Sequence, residues 1–191
     1  MAVGAGLYFL SMARNNAWAN HRLLKACSQL SPADFAAERT SFFPSIVATL
    51  NHILVVDWFY VDALEGGALG PAAWANEVPH PDFASYRIAQ ATVDQRLINF
   101  CDTLYDVALA LPVHLHRGIH VQVDRVDRIL LHLFEHQIHH RGQVHAMLAG
   151  TKVAPPQLDE FFCAGDAKLR AADLAELGWR EDGIWRGLEI K

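Results

Sequence analysis

The sequence is poor in basic residues and in cysteine. Its 191 residues include 16 Lys and Arg against 21 Asp and Glu, which gives a formal net charge of −5. No cluster of Lys and Arg forms the basic stripe that nucleic-acid binding requires, so we exclude nucleic acid as a partner. The three cysteines, Cys27, Cys101 and Cys163, are far apart, odd in number and in no C-x-x-C pair. This pattern predicts reduced thiols in a cytoplasmic protein without a disulfide framework.

The sequence also lacks a long apolar run that is free of polar interruptions. Residues 46–64 come closest, but the run contains four polar or ionisable side chains that are costly in lipid: Asn51, His52, Asp57 and Asp62. We therefore predict a buried helix there and no membrane partner. Residues 1–19 superficially resemble a signal peptide, but they have no basic n-region and Arg14 precedes the Ala-x-Ala-like triplet. We expect most of that segment to belong to the first helix.

Helical periodicity dominates what is present. A chain of this length with 52% hydrophobic residues can bury a substantial core as one domain, or as one domain with a small appendage. Turn residues divide it into four long helical segments, at about 7–28, 44–65, 82–105 and 125–149. A short helix near 167–177 and a surface hairpin around Asp182 and Gly183 are expected to follow. The pattern predicts an all-α fold, a four-helix bundle.

A small β-hairpin is predicted just before the last long helix. In "LPVHLHRGIHVQV", at 111–123, the hydrophobic period changes from 3.6 to 2. A three-residue loop, 117–119, would pair His116 with His120 and His114 with Gln122. One face of the hairpin would then carry Val113, Leu115, Val121 and Val123, and the other would carry the three histidines. We interpret His114, His116 and His120 as a solvated face, with a second metal site as the alternative.

Two histidines occupy the middle of the inward stripe of the last long helix. Steps of three and four residues pick out the stripe Val126, Ile129, Leu133, His136, His140, Gln143 and Met147. Residues at i and i+4 have Cβ atoms ~5 to 6 Å apart, so two imidazoles one turn apart can bind one metal ion. The alternative is a pair of core histidines that hydrogen-bond to neighbours or to water.

A third histidine favours the metal site. His52 lies in the apolar second helix, in phase with Thr49, Val56, Phe59 and Ala63. Three histidines from two helices, with no fourth carboxylate or thiolate evident, are typical of an open site in which water or substrate completes the coordination. This arrangement suits catalysis better than structural support, and it accepts zinc, nickel, copper or ferrous iron.

Neighbouring polar residues are expected to support this site. Gln143 would hydrogen-bond a ligand imidazole or a bound substrate, and His139 would support a ligand or lie at a subunit contact. Arg141 points away from the stripe and would anchor helix contacts or an acidic group. We interpret Asp57 as a buried hydrogen-bond partner of the first helix, with Asn16 or Asn20 as its donor.

Two stretches carry a family resemblance. "NHILVVD" at 51–57 and "HQIHHRGQVHAML" at 136–148 resemble the DinB-like proteins, which are four-helix bundles whose metal is held by a histidine on the second helix and an H-x-x-x-H pair on the last. "NNAWANHRLL" at 15–24 and "PPQLDEFF" at 155–162 also match, so the resemblance spans roughly residues 5–165. It implies a bundle domain over 1–165. Residues 166–191 lie outside the family's pattern, and we expect them to form a C-terminal extension packed on the bundle.

The resemblance also implies a site and an activity. It makes His52, His136 and His140 the metal ligands, with zinc or nickel as the ion, and it implies a homodimer. Family members of known activity include bacillithiol-type S-transferases and a mycothiol-dependent isomerase. The implied function is therefore transfer of a low-molecular-weight thiol to an electrophile. Hydrolysis by a metal-activated water, a non-catalytic metal-binding bundle and a metal-free structural bundle remain as alternatives.

One competing motif overlaps the ligand pair. "HLFEH" at 132–136 fits the H-x-x-E-H pattern of inverted zinc proteases, with Glu135 as the base. His132 lies one position off the inward stripe, and a bundle of this size leaves little room for a peptide cleft. Since short motifs match by chance, we prefer the ligand set of three histidines.

Overall fold

Long helices and one hairpin make up most of the structure, a computed structural model that describes residues 4–186 and 188. In chain order the elements are α1 (Ala5–Cys27), α2 (Pro32–Ala36), α3 (Ile46–Leu64), α4 (Phe83–Asp102), β1 (Pro112–His116), β2 (Val121–Arg125), α5 (Val126–Ala149), α6 (Ala167–Glu176) and α7 (Glu181–Ile184). The strands pair in one antiparallel, two-stranded sheet. The predicted helical fold with a hairpin before the last long helix is confirmed.

Side-chain caps decide where two of the long helices begin. Ser45 Oγ accepts a hydrogen bond from the backbone N–H of Ala48 at 3.2 Å, so α3 begins at Ile46 rather than at the predicted Pro44. Asp82 Oδ1 accepts one from Ser85 N at 2.9 Å and starts α4. At the other end of α3, Gly66 adopts φ +84°, a conformation that favours glycine and turns the chain away from the helix.

The long helices contact one another in a closed ring. α1 packs against α4 and α5, and α3 packs against the same two helices. Their shared core includes several fully or almost fully buried side chains: Leu23, Ile53, Leu54, Leu97, Leu130 and Leu133. α3 is long and apolar enough to cross a membrane by length and composition, but 72% of its most apolar window is buried inside the protein. That burial is typical of the core helix of a soluble protein.

The register of the hairpin differs from the prediction. His116 pairs with Val121, Leu115 with Gln122 and His114 with Val123, and residues 117–120 form a four-residue loop. The loop is closed by a hydrogen bond from Arg117 N to His120 O at 2.9 Å.

This register corrects the predicted faces, because opposite residues of an antiparallel pair share one face. Val121 and Val123 therefore lie beside His116 and His114 and are 47% and 57% exposed, whereas Val113 and Leu115 alone of the predicted apolar set are buried. His120 lies in the exposed loop rather than on the strand face. The hairpin thus buries Val113 and Leu115 of β1 and leaves the valines of β2 at the surface.

The segment after α5 folds back onto α1. Trp18 and Phe161 lie 5.5 Å apart between ring centroids and share a second apolar cluster with Leu174 and Ile184. The predicted surface hairpin around Asp182 and Gly183 is wrong, since residues 181–184 form the short helix α7. Residue 187 and residues 189–191 of the predicted extension lie outside the described residues.

Candidate metal centre

Three imidazoles meet between α3 and α5. One nitrogen each of His52, His136 and His140 lies within 4.8 Å of the other two. His52 Nε2 and His136 Nε2 are 3.0 Å apart, and the ring centroids of His136 and His140 are separated by 4.4 Å. The structure thus brings together the three histidines that the sequence places on two helices, with His136 and His140 one helical turn apart.

This spacing fits a metal ion. Two nitrogens bound to one tetrahedral zinc ion at ~2.0 to 2.1 Å lie roughly 3.3 Å apart, close to the 3.0 Å between the Nε2 atoms of His52 and His136. The set contains no carboxylate and no thiolate, so these three residues would supply no negative charge to balance that of a bound cation. A donor set of three neutral nitrogens leaves room for water or a small anionic ligand.

Gln143 fixes the orientation of one imidazole. Gln143 Oε1 lies 2.8 Å from His140 Nδ1, so Nδ1 carries the proton and Nε2 of that ring keeps its lone pair for a metal ion. The other end of the amide, Gln143 Nε2, lies 3.2 Å from His139 Nε2. His139 is exposed, so the chain of contacts runs from the ligand cluster to the surface of α5. Both residues thus occupy supporting positions next to His140.

Burial keeps the cluster neutral. Burial, with the neighbouring histidines as a smaller cause, lowers the pKa of His136 to about 3 and that of His52 to about 4. The pKa of His140 is also lowered by burial, although the bond to Gln143 opposes the shift. All three rings are therefore uncharged at neutral pH, which is the protonation state that binds metal. Phe43 stacks on His52 with 4.3 Å between ring centroids and covers one side of the cluster.

A buried polar network lies directly behind the cluster. Asp57 and Asp94 approach each other through Gln90, whose Nε2 donates to both carboxylates at 2.8 and 3.1 Å. Gln137, which follows His136, donates to Asp57 and so links α5 to α3. Asp57 is a buried interhelical partner as expected, but the predicted donors are wrong: Asn16 and Asn20 donate to Asp94 instead. The hydrogen-bond partners of Asp57 are Gln90 and Gln137, and these two side chains lie between Asp57 and the first helix.

Arg141 completes this network. The guanidinium is 4% exposed, points away from the three histidines and donates from one nitrogen to Asn16, Asn20 and Gln137. Burial lowers the pKa of Arg141 to about 10, which still leaves the group protonated at pH 7. The side chain thereby joins α5 to α1, as expected of an anchor for helix contacts.

α5 has a second buried stripe beside the predicted one, and the sequence pattern did not predict it. Leu130, Phe134, Gln137, Arg141, Val144 and Leu148 are all buried, at the same spacing of three and four residues. Gln137 is fully buried, more so than the ligand candidates His136 and His140. The spacing of its residues could have indicated this stripe. However, glutamine and arginine lie at its centre, and such residues are rarely buried unless they have polar partners, whose positions the sequence does not give.

Other histidines and acids lie outside the cluster. His132 is exposed, and its ring centroid is 6.3 Å from that of His136. Glu135 is also exposed and lines an apolar groove between α1 and α5, so the H-x-x-E-H alternative gains no support from its placement. A second group with metal-like spacing, His21, Asp173 and Glu176, is held by ion pairs, since Lys25 Nζ contacts Glu176 at 2.5 Å and Arg22 contacts Asp173 at 2.7 Å.

Comparisons with known proteins cover most of the chain. A family model described as the DinB family matches residues 1–168. Protein DinB of Bacillus subtilis (strain 168) is 25% identical to this chain over 147 residues, which is 73% of this chain and 85% of that protein. The matched range spans the positions of all three histidines of the cluster and of Gln143.

Proposed function

Since the chain belongs to the DinB family, we propose that it is a metal-dependent enzyme that transfers a low-molecular-weight thiol to a small electrophile. His52, His136 and His140 would hold a divalent ion, zinc or nickel, through their Nε2 atoms. The single observation that carries this proposal is the convergence of these three nitrogens, uncharged and without a carboxylate among them. The closed ring of four long helices supports the description of the fold as a four-helix bundle.

The residues of the chain have distinct roles in this proposal. The divalent ion that His52, His136 and His140 would hold would supply Lewis acidity, which lowers the pKa of a thiol or water near neutral pH. Gln143 holds the proton of His140 on Nδ1 and keeps the ring aimed at the centre. Phe43 excludes water from one side of His52. The only cysteine that is not buried, Cys163, lies outside the cluster, so the nucleophile comes from the co-substrate or from solvent.

Metal content tests the site. Purified protein should carry near-stoichiometric divalent metal by elemental analysis, and His136→Ala should lose it. His120→Ala, a change in the exposed hairpin loop, is the matched control and should retain the metal. A protein without metal, whose content does not respond to His136→Ala, would instead favour a structural bundle with satisfied core histidines.

Turnover tests the activity. The metal-loaded protein should accelerate conjugation of monochlorobimane with at least one member of a panel of low-molecular-weight thiols, and the His136→Ala variant should not. Rates at background for every thiol, with metal bound, would exclude the transferase for the thiols tested. Hydrolysis of ester substrates by the same preparation would then support the hydrolase, and no turnover would support a non-catalytic metal-binding protein.

We also propose that the protein is a cytoplasmic homodimer that associates through the groove between α1 and α5. The groove exposes Tyr8, Leu131 and Ile138 by 57%, 61% and 53%, and contiguous apolar surface of this kind favours a protein contact. All three cysteines are free, which suits a reducing compartment. Leu131→Asp should shift the protein towards monomer in analytical ultracentrifugation. Val107→Asp, at an exposed valine outside the groove, should not.

A further inference from the structure

A small cavity lies against the metal centre on the side of α3. It has a volume of about 240 Å³, and His52 forms part of its wall. The remaining wall is mostly apolar and comes from three segments: Phe43 before α3, Val55 and Val56 within it, and Trp74 and Val78 after it. Sites for drug-sized ligands are ~300 to 1,000 Å³, so this cavity fits a single ring or a short branched chain.

The outer wall of the cavity is held in place by the residue next to His52. Asn51 is fully buried, and its amide exchanges two hydrogen bonds with the backbone of His80, at 2.8 and 2.9 Å. These bonds tie the loop that carries Val78 to the helix that carries His52. Because one side chain satisfies both backbone groups of His80, the loop has a defined position before any ligand binds.

Aromatic contacts fix the other end of that loop. Trp74 packs on Phe59 of α3 with 4.8 Å between ring centroids. The guanidinium of Arg117, in the hairpin loop, lies 4.6 Å from the centre of the same Phe59 ring. The cavity is therefore a preformed feature whose wall is connected to α3 at two places, through Asn51 and through Phe59.

One acidic group lines this cavity. Glu77 is exposed at its edge, and none of the ion pairs among the described residues involves it. A ligand in the cavity thus meets mostly apolar walls and the carboxylate of Glu77 at the edge, which favours a positively charged group at the mouth.

We propose that this cavity binds the non-thiol substrate of the proposed reaction, and that the substrate is a small molecule with one apolar ring or short chain and a protonated amine facing Glu77. The apolar part would rest between Trp74 and Val56, which places the adjoining atoms beside His52. This inference rests on the proposed function for the role of the bound molecule, but its recognition by the cavity can be measured without metal or turnover.

Binding of three matched probes to metal-free protein tests the inference. Benzylamine, benzyl alcohol and benzoate share a ring and differ in charge at pH 7, and their affinities can be measured by calorimetry. We expect benzylamine to bind tightest and benzoate weakest. Glu77→Gln should weaken benzylamine by about 2- to 5-fold, the range expected of an exposed ion pair, and leave benzyl alcohol unchanged. Glu38→Gln, at an exposed acid that does not line the cavity, is the control and should change neither.

A second variant tests the location. Ala48 lines the cavity one turn before His52, so Ala48→Leu should fill it and abolish binding of all three probes. Ala84→Leu, at an exposed position of α4, should bind them normally. Unchanged probe binding by Ala48→Leu, or equal affinity for amine and carboxylate, would overturn the inference. Metal content measured on the same variants, purified without metal removal, separates the two proposals, since loss of the metal site would leave the order of probe affinities intact.

Discussion

Replacement of Arg141 by methionine is expected to destabilise the protein strongly. Arg141 is the cation of the buried network, and Met matches its length without its charge. Burial raises the pKa of Asp94 to about 6. Burial and the charge of Asp94 raise that of Asp57 to about 8. At pH 7 the network therefore holds one positive Arg141, one negative Asp94 and a neutral Asp57.

The magnitude follows from that balance of charge. Arg141 and Asp94 are opposite charges that do not touch directly but are joined through Asn16 and Asn20. Removing one of two compensating buried charges costs up to ~3 to 5 kcal/mol, because the remaining charge is left without compensation. Three amide oxygens, on Asn16, Asn20 and Gln137, also lose their donor. For a chain of this size, ~2 to 4 °C of melting temperature corresponds to 1 kcal/mol, so the melting temperature should fall by roughly 6 to 20 °C.

The cost should depend on pH. Both carboxyls have folded pKa values above the ordinary value of 3.8, so the folded protein binds more protons than the unfolded chain in that range. Their contribution to the free energy of unfolding therefore rises as pH falls through the folded pKa values. Without Arg141 these pKa values rise further, since its charge lowers both. The Arg141→Met variant should thus lose much less stability at pH 5 than at pH 8.

Urea unfolding of both proteins at pH 5 and pH 8 measures this difference, and taking the difference cancels the common contribution of the histidines. Arg128→Met on the exposed side of the same helix is the matched control. Its only described ion pair is a 3.6 Å contact with Asp124, and such exposed pairs contribute ~0 to 1 kcal/mol. A cost for Arg141→Met as small as that of the control, or a cost equal at both pH values, would refute the reasoning.

Three further predictions concern the metal centre and the second apolar cluster. Gln143→Leu removes the acceptor of His140 Nδ1 and should weaken metal binding by roughly 10- to 100-fold, measured by chelator competition, whereas Gln143→Glu, which keeps an acceptor, should weaken it less. In metal-free protein, the pKa of His136 is lowered, so its contribution to stability is present above pH 6.5 and is lost as pH falls towards 3, because only the unfolded chain takes up the proton. The stability of His136→Leu relative to the parent should therefore rise as the pH is lowered. A difference in stability that does not change with pH would contradict the lowered pKa. Phe161→Ala should lower the free energy of unfolding by ~3 to 5 kcal/mol, since the ring is fully buried against Trp18 and Trp185, and a loss below about 1 kcal/mol would show that the segment after α5 does not stabilise the rest.

The sequence by itself determined the long helices and the family. A spacing of three and four residues repeats over 20 or so positions in each helix, and such a pattern fits only one secondary structure. The resemblance drawn from 51–57 and 136–148 is confirmed by the family match over residues 1–168. His136 and His140 had to share a face because they are one turn apart, whatever the rest of the chain does.

Tertiary structure decided everything that depends on distance across helices. That His52 Nε2 lies 3.0 Å from His136 Nε2 follows from how α3 and α5 pack, which no local pattern specifies. The hairpin register was set by a four-residue loop closed through Arg117, and the period-2 pattern was compatible with more than one loop length. The buried position of Arg141 required acceptors on α1 and α5 together with the nearby carboxylate of Asp94 on α4. A buried charge is stable only when such partners surround it, and their assembly is a property of the fold rather than of any segment.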